Sequence, residues 1–392
     1  MKTTNVRSRH GKLVLLASLT TLLAVSLSLP SFAANPAQQA NDEPKPDKSY
    51  RLSLTEYQCS AYNSKGEIWV WSPKGTEPAG VKPVRASAFK DAASYHYSRG
   101  DKLMLKQNGT VWRHDSSKID FMTGWPSNPD YFSYGALQIT GLKDITKISS
   151  THFINMALDK DGNVWMWNYL YPELGQVNLK TSEPVKLPLE RKAVDISAGH
   201  NYLHVIQEDG TVWVRHESYG ASLHRELTQI KGLTDIVKLS QGDSDVFYAM
   251  KKDGTVWTWG ENPRGTEGMP SLSNIKPVQY EGITDVETIH TNGRTTLALT
   301  KDGTVWTWGR TMYCTINDCP NMSPDESYPM QPRQVDELRN IMDISVQPAH
   351  NMAIDHHGVL WSWGSNVSDQ LANGTTESTE VPVRAAHLPS IQ

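Results

Sequence analysis

The nonapeptide KDGTVWTWG stands at residues 252–260 and again, unchanged, at 301–309. Five looser copies surround it: SKGEIWVWS (64–72), QNGTVWRHD (107–115), KDGNVWMWN (160–168), EDGTVWVRH (208–216) and HHGVLWSWG (356–364). Their glycines are Gly66, Gly109, Gly162, Gly210, Gly254, Gly303 and Gly358, spaced by 43, 53, 48, 44, 49 and 55 residues. A period of about 40–50 residues marks a repeat architecture.

Each copy reads as a β-hairpin. Asp-Gly and Asn-Gly favour tight turns, because both central residues of such a turn need positive φ. Trp257 and Trp259 are two residues apart and share one face of a strand. Upstream of the turns lie seven apolar segments, from 58–62 to 350–354, which predict inner strands; the fourth position is Ala in Ala61, Ala157, Ala249, Ala298 and Ala353. A short strand precedes each hairpin, as in DITKI (144–148) or DISVQ (343–347), and Pro-led segments such as PVKL (184–187) and PVRA (382–385) recur. Four strands per unit and no convincing helix predict an all-β, seven-bladed β-propeller of four-stranded blades. Twelve of the thirteen tryptophans fall in the seven motifs, which assigns them to packing. VPVRAAHLPSI (381–391) resembles the opening of another blade, so the first blade is expected to be closed by the C-terminal strand, leaving no exposed edge.

The N-terminus has its own logic. Lys2, Arg7, Arg9 and Lys12 precede the apolar run 13–29, Pro30 and Ser31-Phe32-Ala33. Residues 1–33 therefore read as a secretory signal peptide, 34–48 as a disordered linker, and 49–392 as the propeller. The whole chain has a formal charge of −4; without the four basic residues of the leader it is −8. An acidic, exported monomer is expected, with no membrane span after cleavage and no nucleic acid among its partners.

Export permits a disulfide between Cys314 and Cys319, and two free thiols fit the residues as well. No phosphate loop, nucleophile elbow or zinc-protease motif occurs, and no cofactor or metal is expected. His96, His152, His200, His290 and His350 lie near strand entries at unequal distances from the turns, so they read as hydrogen-bonding residues rather than a stacked ring. Asp144, Asp195, Asp235, Asp285 and Asp343 recur once per blade and read as structural, whereas Asp101, Asp243 and Asp245 do not recur.

Non-periodic residues in connecting segments are not required by the scaffold and point to function. One rim should carry YHYSR (95–99), THF (151–153), HNY (200–202), GDSD (242–245) and TNGR (291–294), mixing residue types that anchor interfaces. Tyr97, Phe153, Tyr202, Asp245 and Arg294 are the candidate contact residues. A second candidate surface holds 124–135, 167–175 and the Cys314–Cys319 segment, with Trp125 and Tyr131. Asn-x-Ser/Thr triplets begin at Asn108, Asn321, Asn366 and Asn373.

The copies resemble the repeat of the regulator of chromosome condensation family. The fullest match is HNMAIDHHGVLWSWGSNVSDQLANG (350–374), with Trp-Gly, Asn366, Gln370-Leu371 and Gly374 in the family's places. TTLALTKDGTVWTWG (295–309) follows it closely, whereas Trp112-Arg113-His114 and Trp213-Val214-Arg215 lack the second Trp and the Gly. The resemblance implies seven blades. Its founding member is a nuclear exchange factor for a small GTPase, which a leader and an acidic chain disfavour. Its secreted bacterial branch includes a propeller that inhibits β-lactamases with one face. The resemblance thus implies a module that binds a protein or cell-surface partner through one rim. The alternative is a polysaccharide- or small-molecule-directed hydrolase or lyase at the shaft mouth.

Overall fold

The computed structural model describes residues 50–54, 59–71, 84–85, 91–97, 102–114, 136–151, 154–170, 180–181, 183–199, 201–216, 226–240, 246–260, 276–292, 295–309, 331–347, 350–367 and 370–385. Among them are strands and turns but no helix. They form seven antiparallel sheets of consecutive strands, the blades of a β-propeller. In blade three the outermost position is shared by Lys180–Thr181 and Val185–Lys186, which pair with successive parts of the same strand. The first strands of the blades touch in cyclic order, from Arg51–Leu54 through Ile341–Val346 and back, and therefore surround the axis. The 58–62-type segments, expected to be innermost, are second strands. They are the most deeply buried, as in Tyr202–Gln207 and His350–Asp355, because both their faces pack against neighbouring blades.

Closure differs from the sequence expectation. Thr379–Arg384 pairs with Leu360–Gly364 and completes blade seven. Blade one has its own fourth strand, Val84–Arg85, paired with Ile68–Trp71. The Pro-led segments thus end blades rather than open them, and the ring is closed by packing between complete blades. Tyr50, Leu52, Cys59 and Ala61 share a core with Met342, Met352, Ile354 and Leu360. The Leu52 N–H also donates to Asp343 Oδ2 at 2.7 Å.

The repeated turn motif answers two packing demands. Gly109 has φ +75°, and a Cβ there would lie 2.9 Å from Asp144 Cα in the next blade. Its carbonyl accepts from the Ile145 N–H at 2.9 Å, starting the next innermost strand. The same bond recurs from Ala193 to Gly162, Ile236 to Gly210 and Ile341 to Gly303. Glycine alone tolerates that φ and that approach together. The first Trp is held from its own turn. Trp257 Nε1 donates to Thr255 Oγ1 at 3.2 Å, and Thr255 Oγ1 donates to Asp253 at 2.7 Å. Trp112, Trp213 and Trp306 repeat the relay, while Trp165 and Trp361 reach Asp159 and Asp355 directly. Gly-Thr-Val-Trp is thus one hydrogen-bonded unit.

The periodic aspartates occupy two different positions. Asp144, Asp235 and Asp285 precede the innermost strands with φ of 55–58°, a conformation Asp adopts more readily than most residues. Asp195 and Asp343 lie inside those strands, opposite Ile206 and Ile354. Similar letter strings thus stand at unlike places in the strands.

Candidate functional site

Antiparallel blades sort their connections by face. First-to-second and third-to-fourth connections emerge at one end of the propeller; the Gly turns and blade-to-blade links emerge at the other. The strands that bound the two candidate surfaces end toward one face; 124–135, 171–175 and the Cys314–Cys319 segment themselves lie outside the described residues. The opposite face carries the repeated turns. Non-periodic sequence is gathered on the first face.

The strands flanking Tyr97, Phe153, Tyr202, Asp245 and Arg294 belong to blades two to six, and all five residues fall in first-to-second connections or at their edges. Tyr97 ends the strand Ala92–Tyr97. Phe153, Asp245 and Arg294 lie outside the described residues, as do Asp101, Asp243, Cys314 and Cys319. Tyr202 is 6 % exposed. Its ring lies 4.8 Å from His216 and 6.1 Å from Phe247 of the next blade. It was expected to offer a contact; its ring instead props the connection from within the core. Among the glycosylation triplets, Asn366 is fully buried and donates to Asn373 Oδ1 and the Thr375 carbonyl, fixing the 366–375 loop. Its side chain belongs to the fold.

The shaft holds what the sequence reading missed. Register across each first–second strand pair sets Leu52, Tyr95, Ile148, Ile196, Leu239, Ile289 and Ile344 at one level. The residues just before them contribute three cations (Arg51, Lys147, Lys238), two carboxylates (Asp195, Asp343) and two hydroxyls (Ser94, Thr288). The residues just after are His96, His290 and five serines: Ser53, Ser149, Ser197, Ser240 and Ser345. Two of the five histidines thus do share a level. The signal was in the sequence: His96 and His290 each stand 13 residues before the turn glycine of their blade, Gly109 and Gly303, and the other three histidines do not.

These levels are stitched between blades. Lys147 pairs with Asp195, whose Oδ2 accepts the Leu239 N–H at 3.1 Å. Ser197 Oγ donates to the Ser240 carbonyl at 2.7 Å, and Ser149 Oγ accepts from the Ala198 N–H at 2.9 Å. Burial pushes His290 down to about 3, helped by Lys238, His96, Lys147 and Arg51. Burial and Lys147 hold His96 down to about 4. Residues of blades one, two, three and five thus act on one imidazole of blade six, in keeping with first strands that surround the axis. Burial, with Lys147 beside it, also lowers Lys238. Among the described residues no group of three or more metal-ligating side chains occurs.

The regulator of chromosome condensation (RCC1) repeat pattern matches residues 357–392. The chain thus carries a repeat of that type on a seven-bladed β-propeller. Human E3 ubiquitin-protein ligase HERC2 is 24% identical over 254 residues, 59% of this chain and 5% of that protein. The mitochondrial RCC1 domain-containing protein RUG3 of Arabidopsis thaliana is 32% identical over 159 residues, 36% of this chain and 35% of that one. The chain thus spans a small part of the first relative and about a third of the second. Prp20p from Saccharomyces cerevisiae shares the fold, with a TM-score of 0.60 at 17% identity, covering 86% of this chain and 88% of that one.

Proposed function

We propose that the chain is an exported protein-binding module that engages a protein or cell-surface partner through the face bearing its first-to-second connections. The observation that carries this reading is the sorting of sequence by face. Turns on one face are set by blade packing, whereas the other face is free to vary and carries aromatic and charged residues. Interfaces are enriched in such anchors. The binding properties of the structurally similar Prp20p toward Gsp1p and histones support such a reading. An acidic chain with a basic, apolar leader supports a partner outside the cytoplasm.

The test is a pull-down from the envelope and extracellular fraction of the host. The wild-type bait is compared with a variant carrying Tyr97→Ala, Phe153→Ala, Asp245→Ala and Arg294→Ala, with Tyr202 kept because it is core. A protein retained by the wild type and lost by the variant is the expected result. Equal retention by both would remove this face from the proposal.

A further inference from the structure

Among the described residues, Lys147 is the one shaft cation in a direct ion pair; Asp343 acts on Arg51 and Lys238 from further off. Asp195 is committed to Lys147, to the Leu239 N–H and to its neighbour Ile196 N at 3.0 Å. Asp343 accepts the Leu52 N–H. Arg51 and Lys238 make their hydrogen bonds to backbone carbonyls: Arg51 to Tyr50 and Met342, Lys238 to Glu287. A guanidinium has five N–H donors and an ammonium three, so each keeps donors in hand. Ser94 Oγ, on the same level between Arg51 and Lys147 in blade order, is buried and has no hydrogen-bond partner. One level on, burial and nearby cations disfavour the charged forms of His96 and His290, and a neutral imidazole carries one ring N–H.

We propose that the shaft binds a small oxyanion of the phosphate or sulfate class, held by Arg51 and Lys238 with donors from Ser94, His96 and His290. Cations set at one level around the axis create a positive potential stronger than the same charges spread over open surface. Lys147 lowers Lys238, and both lower His290, while Asp195, Glu287 and Asp343 pull Lys238 the other way, so repulsion between the cations is offset only in part. An anion among them relieves that repulsion and gives the unused donors an acceptor. A tetrahedral oxyanion suits donors that converge from several blades, since its oxygens point in several directions. The site is independent of any partner on the face.

Titration calorimetry of the full chain at low ionic strength tests this, with inorganic phosphate and sulfate as probes and chloride as control. Saturable binding of one oxyanion per chain, absent with chloride, is expected. Lys238→Gln should weaken it by about tenfold or more. Ser94→Asp, which places a fixed carboxylate on the same level, should abolish it. The absence of saturable heat with the folded wild type would overturn the proposal. So would an unchanged affinity in Lys238→Gln. If Lys238→Gln melts early, unchanged binding in Ser94→Asp would do the same.

Discussion

Replacing Asp343 by Asn should stabilise the propeller at neutral pH, although the carboxylate sits at the ring closure and accepts a 2.7 Å bond from Leu52. Asp343 is 7 % exposed. Burial raises its carboxyl from 3.8 to about 6, against the opposing pull of Arg51 and of the Leu52 and Ile344 N–H groups. A carboxyl whose proton is held more tightly in the fold favours the native state when protonated. Its contribution is greatest below pH 3.8 and is lost as pH rises through about 6. At about 1.4 kcal/mol per tenfold change in proton affinity, the loss amounts to ~3 kcal/mol. Asn keeps an oxygen for Leu52 and carries no charge to desolvate. Its amide N–H needs a partner, which could take back about 1 kcal/mol. The expected net gain is therefore ~2 kcal/mol at pH 8 and near zero at pH 4. Thermal unfolding of both proteins at these two pH values measures the difference, and the histidines titrate alike in each. An Asp343→Asn variant that melts below the parent at pH 8 would show that Arg51 outweighs burial. A pH-independent difference would show that ionisation is not the cause.

Two further outcomes follow from the packing. Gly109→Ala should destabilise by about 2 kcal/mol or more, because it combines a strained positive φ with a Cβ pressed on the next blade; Gly141→Ala, with open space around its Cβ, should cost less in the same melting assay, and equal losses would refute the close-approach argument. Burial lowers His204 to about 3 and His350 to about 4, so the stability they contribute is present above pH 6.5 and is lost as pH falls toward those values. Urea midpoints should therefore fall below pH 6.5, by up to about 1.4 kcal/mol per pH unit for each histidine, and His204→Gln should flatten the profile.

The blade count was legible because the Gly turn is over-determined. Its glycine answers to φ and to the next blade at once, and its Thr and Trp to one hydrogen-bond relay, so few substitutions survive there. Blade boundaries were not legible. A meander of antiparallel strands reads the same wherever the cut between blades falls, and only pairing shows that Val381–Arg384 ends blade seven. The shaft was hidden for a related reason. An Asp followed by an apolar residue occurs at two different levels of the innermost strands, so Asp144 and Asp195 look alike as strings but stand three positions apart.

Tyr202 shows where the face could not be read from composition. An aromatic residue beside a connection is an anchor if it points outward and a prop if it points inward, and the sequence carries both readings. Its ring packs on His216 and on Phe247 of the neighbouring blade, which decides for the prop. The same two blades are joined again where Trp259 Nε1 donates to His204 Nε2 at 3.2 Å. Blade six repeats the device with Trp308 and Tyr248 at 3.0 Å. In blade three the corresponding neighbour is Leu103, and Trp167 Nε1 has no hydrogen-bond partner. The second Trp is thus kept for its volume, and its N–H is satisfied only where the preceding blade supplies an acceptor. That hierarchy explains why blades two and four can lose the second Trp without losing the fold. The turn, with its relay and its capped neighbour, fixes the blade; the second Trp fills the space the turn has already defined.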